Sequence, residues 1–89
     1  MMYSVLVSKI FQKQFHGLPI DIQKRIRSAL SELGKDPFKP RSGADIKLLY
    51  DTNPPKHRLR VGEYRMIYHV EGKTVEVIEL FHRGRGYRE

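Results

Sequence analysis

The run Lys56-His57-Arg58-Leu59-Arg60-Val61-Gly62-Glu63-Tyr64-Arg65-Met66-Ile67-Tyr68-His69-Val70 alternates polar with apolar residues on both sides of Gly62-Glu63. Alternation with period two means a strand with one wet and one buried face, and a short glycine-containing joint between two such runs means a hairpin. With a two-residue turn, Val61 faces Tyr64, Arg60 faces Arg65, Arg58 faces Ile67 and Lys56 faces His69. Lys56, Arg58, Arg60 and Arg65 then share one face. Leu59, Val61, Met66, Tyr68 and Val70 share the other, which the following run extends with Val75 and Val77. Like charges directly opposite on a sheet destabilise it by about 0.2–1 kcal/mol. Arg60 against Arg65 is therefore unfavourable unless an anion, or a carboxylate such as Glu76, relieves it, and that marks the face as a candidate anion site.

Outward from the hairpin, Thr74–Phe81 alternates in the same way beyond Glu71-Gly72, and Ile46–Tyr50 is a shorter strand set off by Asp51-Thr52-Asn53-Pro54-Pro55. Upstream, Lys35–Gly43 contains Pro37 and Pro40 and cannot continue a helix. Before it, Ile22, Ile26, Ala29, Leu30 and Leu33 recur at helical spacing from a start near Pro19 or Asp21, with Gly34 placed to end the helix. Phe11, Phe15 and Leu18 mark a shorter helix capped by Ser8 and closed by Gly17 and Pro19. Tyr3–Val7 opens the chain as a strand. The expected architecture is α+β: a β-α-α-β-β-β order, in which a small twisted antiparallel sheet packs against an N-terminal helical hairpin, with residues 1–89 forming one domain.

The 89 residues carry 17 Lys plus Arg against 10 Asp plus Glu, a net charge of +7. Folding at this length hides about two thirds of the chain's surface, enough for one modest core. With 39% hydrophobic and 30% charged residues the composition is that of a globular chain and argues against wholesale disorder. No apolar run approaches the ~18 residues of a bilayer span, and Met1–Val7 lacks the basic start and cleavage site of a signal peptide, so no membrane partner and a cytoplasmic location are expected. The absence of cysteine excludes disulfides, thiolate zinc sites and cysteine nucleophiles. His16, His57, His69 and His82 lack metal-ligand spacing, so no metal and no other cofactor is expected, while His69 and His82 stand as an alternative acid–base pair. Gly84-x-Gly86 is followed by no helix and is not a nucleotide fingerprint.

A sequence pI near 9.9 points to a polyanionic partner, nucleic acid or an acidic protein. The charge concentrates in the Lys56–Arg65 hairpin and in the tail Arg83-Gly84-Arg85-Gly86-Tyr87-Arg88. In that tail the glycines let backbone amides approach a phosphate and the tyrosine can stack on a base.

The element order, the Lys56-x-Arg58-Leu59-Arg60 strand, the Gly62-Glu63-Tyr64-Arg65-Met66-Ile67-Tyr68 hairpin and the Phe81-His82-Arg83…Tyr87 ending together resemble the RelE/ParE toxin superfamily, in particular an archaeal-type RelE. The resemblance spans nearly the whole chain and is most specific in the hairpin and the ending. It implies the same small α+β fold and a toxin of a type II toxin–antitoxin system. Such a toxin is an mRNA interferase that cuts messenger RNA in the ribosomal A site and so inhibits translation. A RelB-type antitoxin wraps around it, in a higher-order assembly that binds operator DNA. Carried over by position, the catalytic cluster falls on Lys56, Arg58, Arg65 and Arg83, and the terminal tyrosine on Tyr87. Arg60, Arg85 and Arg88 become RNA-binding companions. Arg58 stands where related chains carry lysine; arginine stays charged, which suits phosphate binding or shielding of the leaving oxygen rather than proton transfer.

The implied reaction is attack of a 2′-hydroxyl on its own 3′-phosphate, leaving a cyclic phosphate and a 5′-hydroxyl, with no metal required. Arg65 and Arg83 would stabilise the charge gathering on the phosphorane. Tyr87 or Lys56, with a lowered pKa, would take the 2′ proton, or Tyr87 would stack on a base instead. Two other readings stay open: a ParE-like toxin that poisons DNA gyrase, and a non-catalytic basic module that binds nucleic acid or protein.

Overall fold

The computed structural model describes residues 2–50 and 52–84. Seven elements follow one another: β1 (Ser4–Val7), α1 (Lys9–His16), α2 (Ile20–Lys35), β2 (Asp45–Leu49), β3 (Lys56–Val61), β4 (Tyr64–Glu71) and β5 (Thr74–His82). The five strands form one sheet in the order β1-β5-β4-β3-β2, and both helices pack on the same face of it. Two details depart from the expected shorthand. Four strands, not three, follow the helices. In addition, β1 runs parallel to β5, Ser4↔Thr74 through Val7↔Val77, so the sheet is mixed rather than antiparallel throughout. That pairing sets Val5 and Val7 beside Val75 and Val77, a long-range alignment that no local turn signals.

Ser8 caps α1, its Oγ accepting from the Phe11 N–H at 3.0 Å, and Phe11 and Phe15 are buried with their rings 6.0 Å apart. Helix α2 runs through Gly34 to Lys35 rather than ending at the glycine. The chain entering β1 passes this turn: the Tyr3 N–H donates to the Gly34 carbonyl at 2.7 Å, and Gly34 is in ordinary contact range of Tyr3 and Val5. Buried Gln23 ties the helices together by donating to the carbonyl of Phe15 at 3.2 Å, which also accepts from the Leu18 N–H at 3.1 Å, and to that of Leu18 at 3.0 Å.

Ile26 and Leu33 from α2 meet Leu59, Met66, Tyr68 and Val75 from the sheet, all at 0% exposure. The Tyr68 hydroxyl donates to the Pro37 carbonyl at 2.7 Å, and burial pushes the phenol well above its ordinary pKa, so it remains a neutral donor. The hairpin register is the one the two-residue turn dictates, with Val61↔Tyr64, Arg60↔Arg65 and Arg58↔Ile67. Between β4 and β5 the register shifts: Ile67 pairs with Glu79 but Tyr68 with Val77, so Ile78 is an inserted residue. This bulge re-phases the strand. Continued alternation from Val77 would bury Glu79; instead Leu80 enters the core at 2% exposure, while Glu79 and Phe81 turn to the open face.

The bulge makes neighbouring positions opposite in tolerance. Leu80→Glu should lower the urea-unfolding free energy by more than about 4 kcal/mol, as an unpaired buried charge does, whereas Glu79→Leu should stay within about 1 kcal/mol of the native protein.

Candidate active site

On the face away from the helices, strand register lines up two rungs: Asp45, Arg60, Arg65 and Phe81 in one, and Lys47, Arg58, Ile67 and Glu79 in the next. Side chains directly opposite stand about 4.5–5.5 Å apart at Cβ and diagonal ones about 7–8 Å. Arg65 therefore has Arg60 beside it and Arg58 on a diagonal. The ladder continues one step past β5, where the Arg83 N–H donates to the Glu63 carbonyl at 2.6 Å. That step sets Arg83 two residues beyond Phe81, the cross-strand partner of Arg65, and so on the other diagonal. The Arg83 guanidinium lies 3.9 Å from the Glu63 carboxylate with both side chains 60% exposed, a loose pair worth little.

Arg58 and Arg65 are half-buried, with Nε of Arg58 and Nη1 of Arg65 shielded from solvent. Ile67 is only 3% exposed although it belongs to the open face, where its cross-strand partners are Arg58 and Glu79. Guanidinium groups held this way on a hydrogen-bonded sheet lose little further freedom when they meet an anion, and each offers a planar fork of donors suited to phosphate oxygens. Lys56 is on the same face but begins β3, opposite Leu49, with its N–H held by the Thr52 hydroxyl at 2.9 Å. It is separated from Arg60 by Arg58 and stands at the far margin of the group. The register puts Lys56, Arg58, Arg60, Arg65 and Arg83 on one face, with Arg60, Arg58 and Arg83 the neighbours of Arg65 and Lys56 one step beyond Arg58. Arg85, Tyr87 and Arg88 lie outside the described residues.

Glu76 does not relieve the arginine pair. Its Oε1 lies 2.6 Å from Nε2 of His69, well along the sheet from Arg60 and Arg65. The carboxylates with register positions beside them are Asp45, opposite Arg60, and Glu79, on a diagonal of Arg65; sequence reasoning missed both because nothing local sets the pairing of β2 with β3 or the shifted register of β5. The histidines do not form an acid–base pair either. His69 is on the open face, whereas His82 is opposite Tyr64 on the other face, the two rings edge to face at 5.0 Å. His57 stacks on Tyr68 at 5.3 Å and meets Phe38 edge-on at 5.6 Å, and burial holds its pKa below the ordinary imidazole value.

Comparison with known proteins places this geometry. The family model for the ParE toxin of type II toxin–antitoxin systems, parDE, matches residues 3–87. The chain is similar to the RelE chain of the archaeal RelE–RelB complex from Pyrococcus horikoshii OT3, with 31% identity and a TM-score of 0.82 over 97% of this chain and 100% of that one. It is also similar to the RelB–RelE antitoxin–toxin complex from Methanococcus jannaschii, with 28% identity and a TM-score of 0.70 over 86% of this chain and 88% of that one. The RelBE2 toxin–antitoxin complex of Mycobacterium tuberculosis, at 23% identity and TM-score 0.78 over 93% of this chain and 100% of that one, shares the fold. No curated protein matches.

Two outcomes follow from the geometry. Arg60→Gln removes both the like charge opposite Arg65 and the cation opposite Asp45 and should leave stability nearly unchanged, whereas Asp45→Asn, which leaves the two arginines without that carboxylate, should lower unfolding stability by about 0.2–1 kcal/mol in urea titrations. For His57 the folded pKa is lower than the unfolded one, so the unfolded chain binds more protons as pH falls through about 6.5, and this contribution to stability is lost on acidification. His57→Phe should match the native pH profile above that point and decline less steeply below it.

Proposed function

The chain belongs to the RelE/ParE superfamily of type II toxin–antitoxin toxins, and from that membership we propose that it is a ribosome-dependent endoribonuclease that cuts messenger RNA in the A site. The observation that carries the reading is the grouping of Arg58, Arg65 and Arg83 on one face, around Arg65. A phosphodiester carries one negative charge in the ground state and gathers more as the 2′-hydroxyl attacks. Arginines already aimed at that position stabilise the transition state more than the substrate. Arg65 and Arg83 take this role, and Arg58 binds the same phosphate or shields the leaving 5′-oxygen. Tyr87 or Lys56, with a lowered pKa, takes the 2′ proton, or Tyr87 stacks on a base instead, with Arg60, Arg85 and Arg88 guiding the strand. The cations come from side chains, so the reaction needs no metal. The ribosome supplies the in-line orientation of the 2′-hydroxyl that a protein of this size does not.

The partner in this reading is a RelB-type antitoxin, as in the crystallised archaeal complexes. A basic surface suits an acidic, partly disordered chain that adds a helix or strand along it, and the complex assembles on operator DNA. The family model named for ParE favours a second reading, gyrase poisoning, which has no need of an arginine cluster with a terminal tyrosine.

On translating ribosomes the protein should generate 5′-hydroxyl fragments cut within A-site codons. Arg65→Ala and Arg83→Ala should each slow that cleavage by about 10²–10³-fold while remaining folded by circular dichroism. Undiminished cleavage in both variants, or inhibition of gyrase supercoiling with no RNA cut, would overturn the nuclease reading.

A further inference from the structure

We propose that a groove between α2 and the β3–β4 turn is a second phosphate-binding track for the RNA strand, with Arg25 as its positioning residue. This rests on the nuclease reading only in that the ligand is the same RNA. The groove has a volume of about 630 Å³ and is lined by Arg25, Ser28, Asp45, Arg60 and Gly62 among others. That is the size of a site for a nucleotide-sized ligand. Arg60 connects it to the basic face, since the residue that lines the groove is also the cross-strand partner of Arg65.

The Arg25 guanidinium lies against the turn. Gly62 adopts φ +58°, and a Cβ there would stand 3.0 Å from Nη2 and 3.2 Å from Nη1 of Arg25. The glycine therefore serves the turn and also admits the guanidinium against the backbone. Of the other charges in the groove, Glu32 and Arg41 cancel one another. The Glu32 carboxylate is 3.1 Å from Lys35 and 3.2 Å from Arg41, and the Arg41 guanidinium also donates to the carbonyls of Glu32, Asp36 and Lys39. Arg25 and Arg60 form no salt bridge among the described residues, and they face a single remaining carboxylate, Asp45. Ser28, three residues after Arg25 and on the same side of the helix, adds a hydroxyl donor. Two forked cations, a hydroxyl and a direct opening onto the arginine face fit the backbone of a single RNA strand better than an acidic peptide, which would need no such continuity.

The test is fluorescence anisotropy with a short single-stranded RNA carrying 2′-O-methyl groups, which binds but is not cut. Arg25→Gln should weaken binding about five- to tenfold and flatten the slope of log K against log salt by about 0.7, with the slope restored in Arg25→Lys. Arg27→Gln is the control, because Arg27 lies over the Phe15 ring at 5.3 Å, outside the groove; it should change affinity less than twofold. On programmed ribosomes Arg25→Gln should raise KM and leave kcat unchanged. Equal losses at Arg25 and Arg27, or a dependence on Arg25 shown by a glutamate-rich peptide and not by RNA, would overturn the groove. Cleavage by the native protein with all variants binding alike sinks the groove and leaves the nuclease; Arg25-dependent binding without any cleavage sinks the nuclease and leaves the groove.

Discussion

The structure depends on the register of the β3–β4 hairpin. Arg60 opposite Arg65 and Leu59 opposite Met66 are one decision, because a strand's side chains alternate and a slip of one residue exchanges its faces. A slip of β3 would carry Arg58 and Arg60 toward the core that Ile26, Leu33 and Tyr68 fill, a slip of β4 would carry Arg65 there, and the cost of burying unpaired guanidinium groups excludes both. The hydrophobic core thereby enforces the basic face: the two helices can cover only the apolar side, and the arginines are left together on the other.

The bulge at Ile78 extends that logic to the end of the chain. By keeping Glu79 out of the core it shifts everything after it by one position, and Phe81 comes to stand opposite Arg65. Arg83 follows in the same phase, its backbone tied to Glu63 at the turn. Without the inserted residue, Arg83 would belong to the face that the helices cover. A single irregularity in β5 therefore determines whether the arginine after the last strand can join those of the hairpin.

Arg60 has a mixed physical role. Its charge opposes that of Arg65 on one side of the ladder and faces Asp45 on the other, so the like-charge repulsion is offset by an opposite-charge pair. The same side chain borders the groove that Arg25 enters beside Gly62. One exposed arginine thus touches both basic regions, which connects the turn geometry of the hairpin to the surface of α2.

The residues 56–70 carried most of the fold and most of the candidate site in readable form, because hairpin pairing and face alternation are local properties of a chain with a two-residue turn. The capped helices with Phe11, Phe15, Ile26 and Leu33 were legible for the same reason. What depends on distant partners was not. Gly34 read as a helix end and is instead the place where β1 crosses α2; Gln23 gave no sign that it would hold the end of α1; Glu76 read as the counter-charge of the arginines and serves His69. The parallel pairing of β1 with β5, the placement of Asp45 beside Arg60 and the shift at Ile78 are likewise long-range. The amino-acid order by itself determined which residues are basic and which face of the hairpin they share. Only the tertiary structure decided which of them meet, because that depends on strands far apart in the chain aligning over a common core.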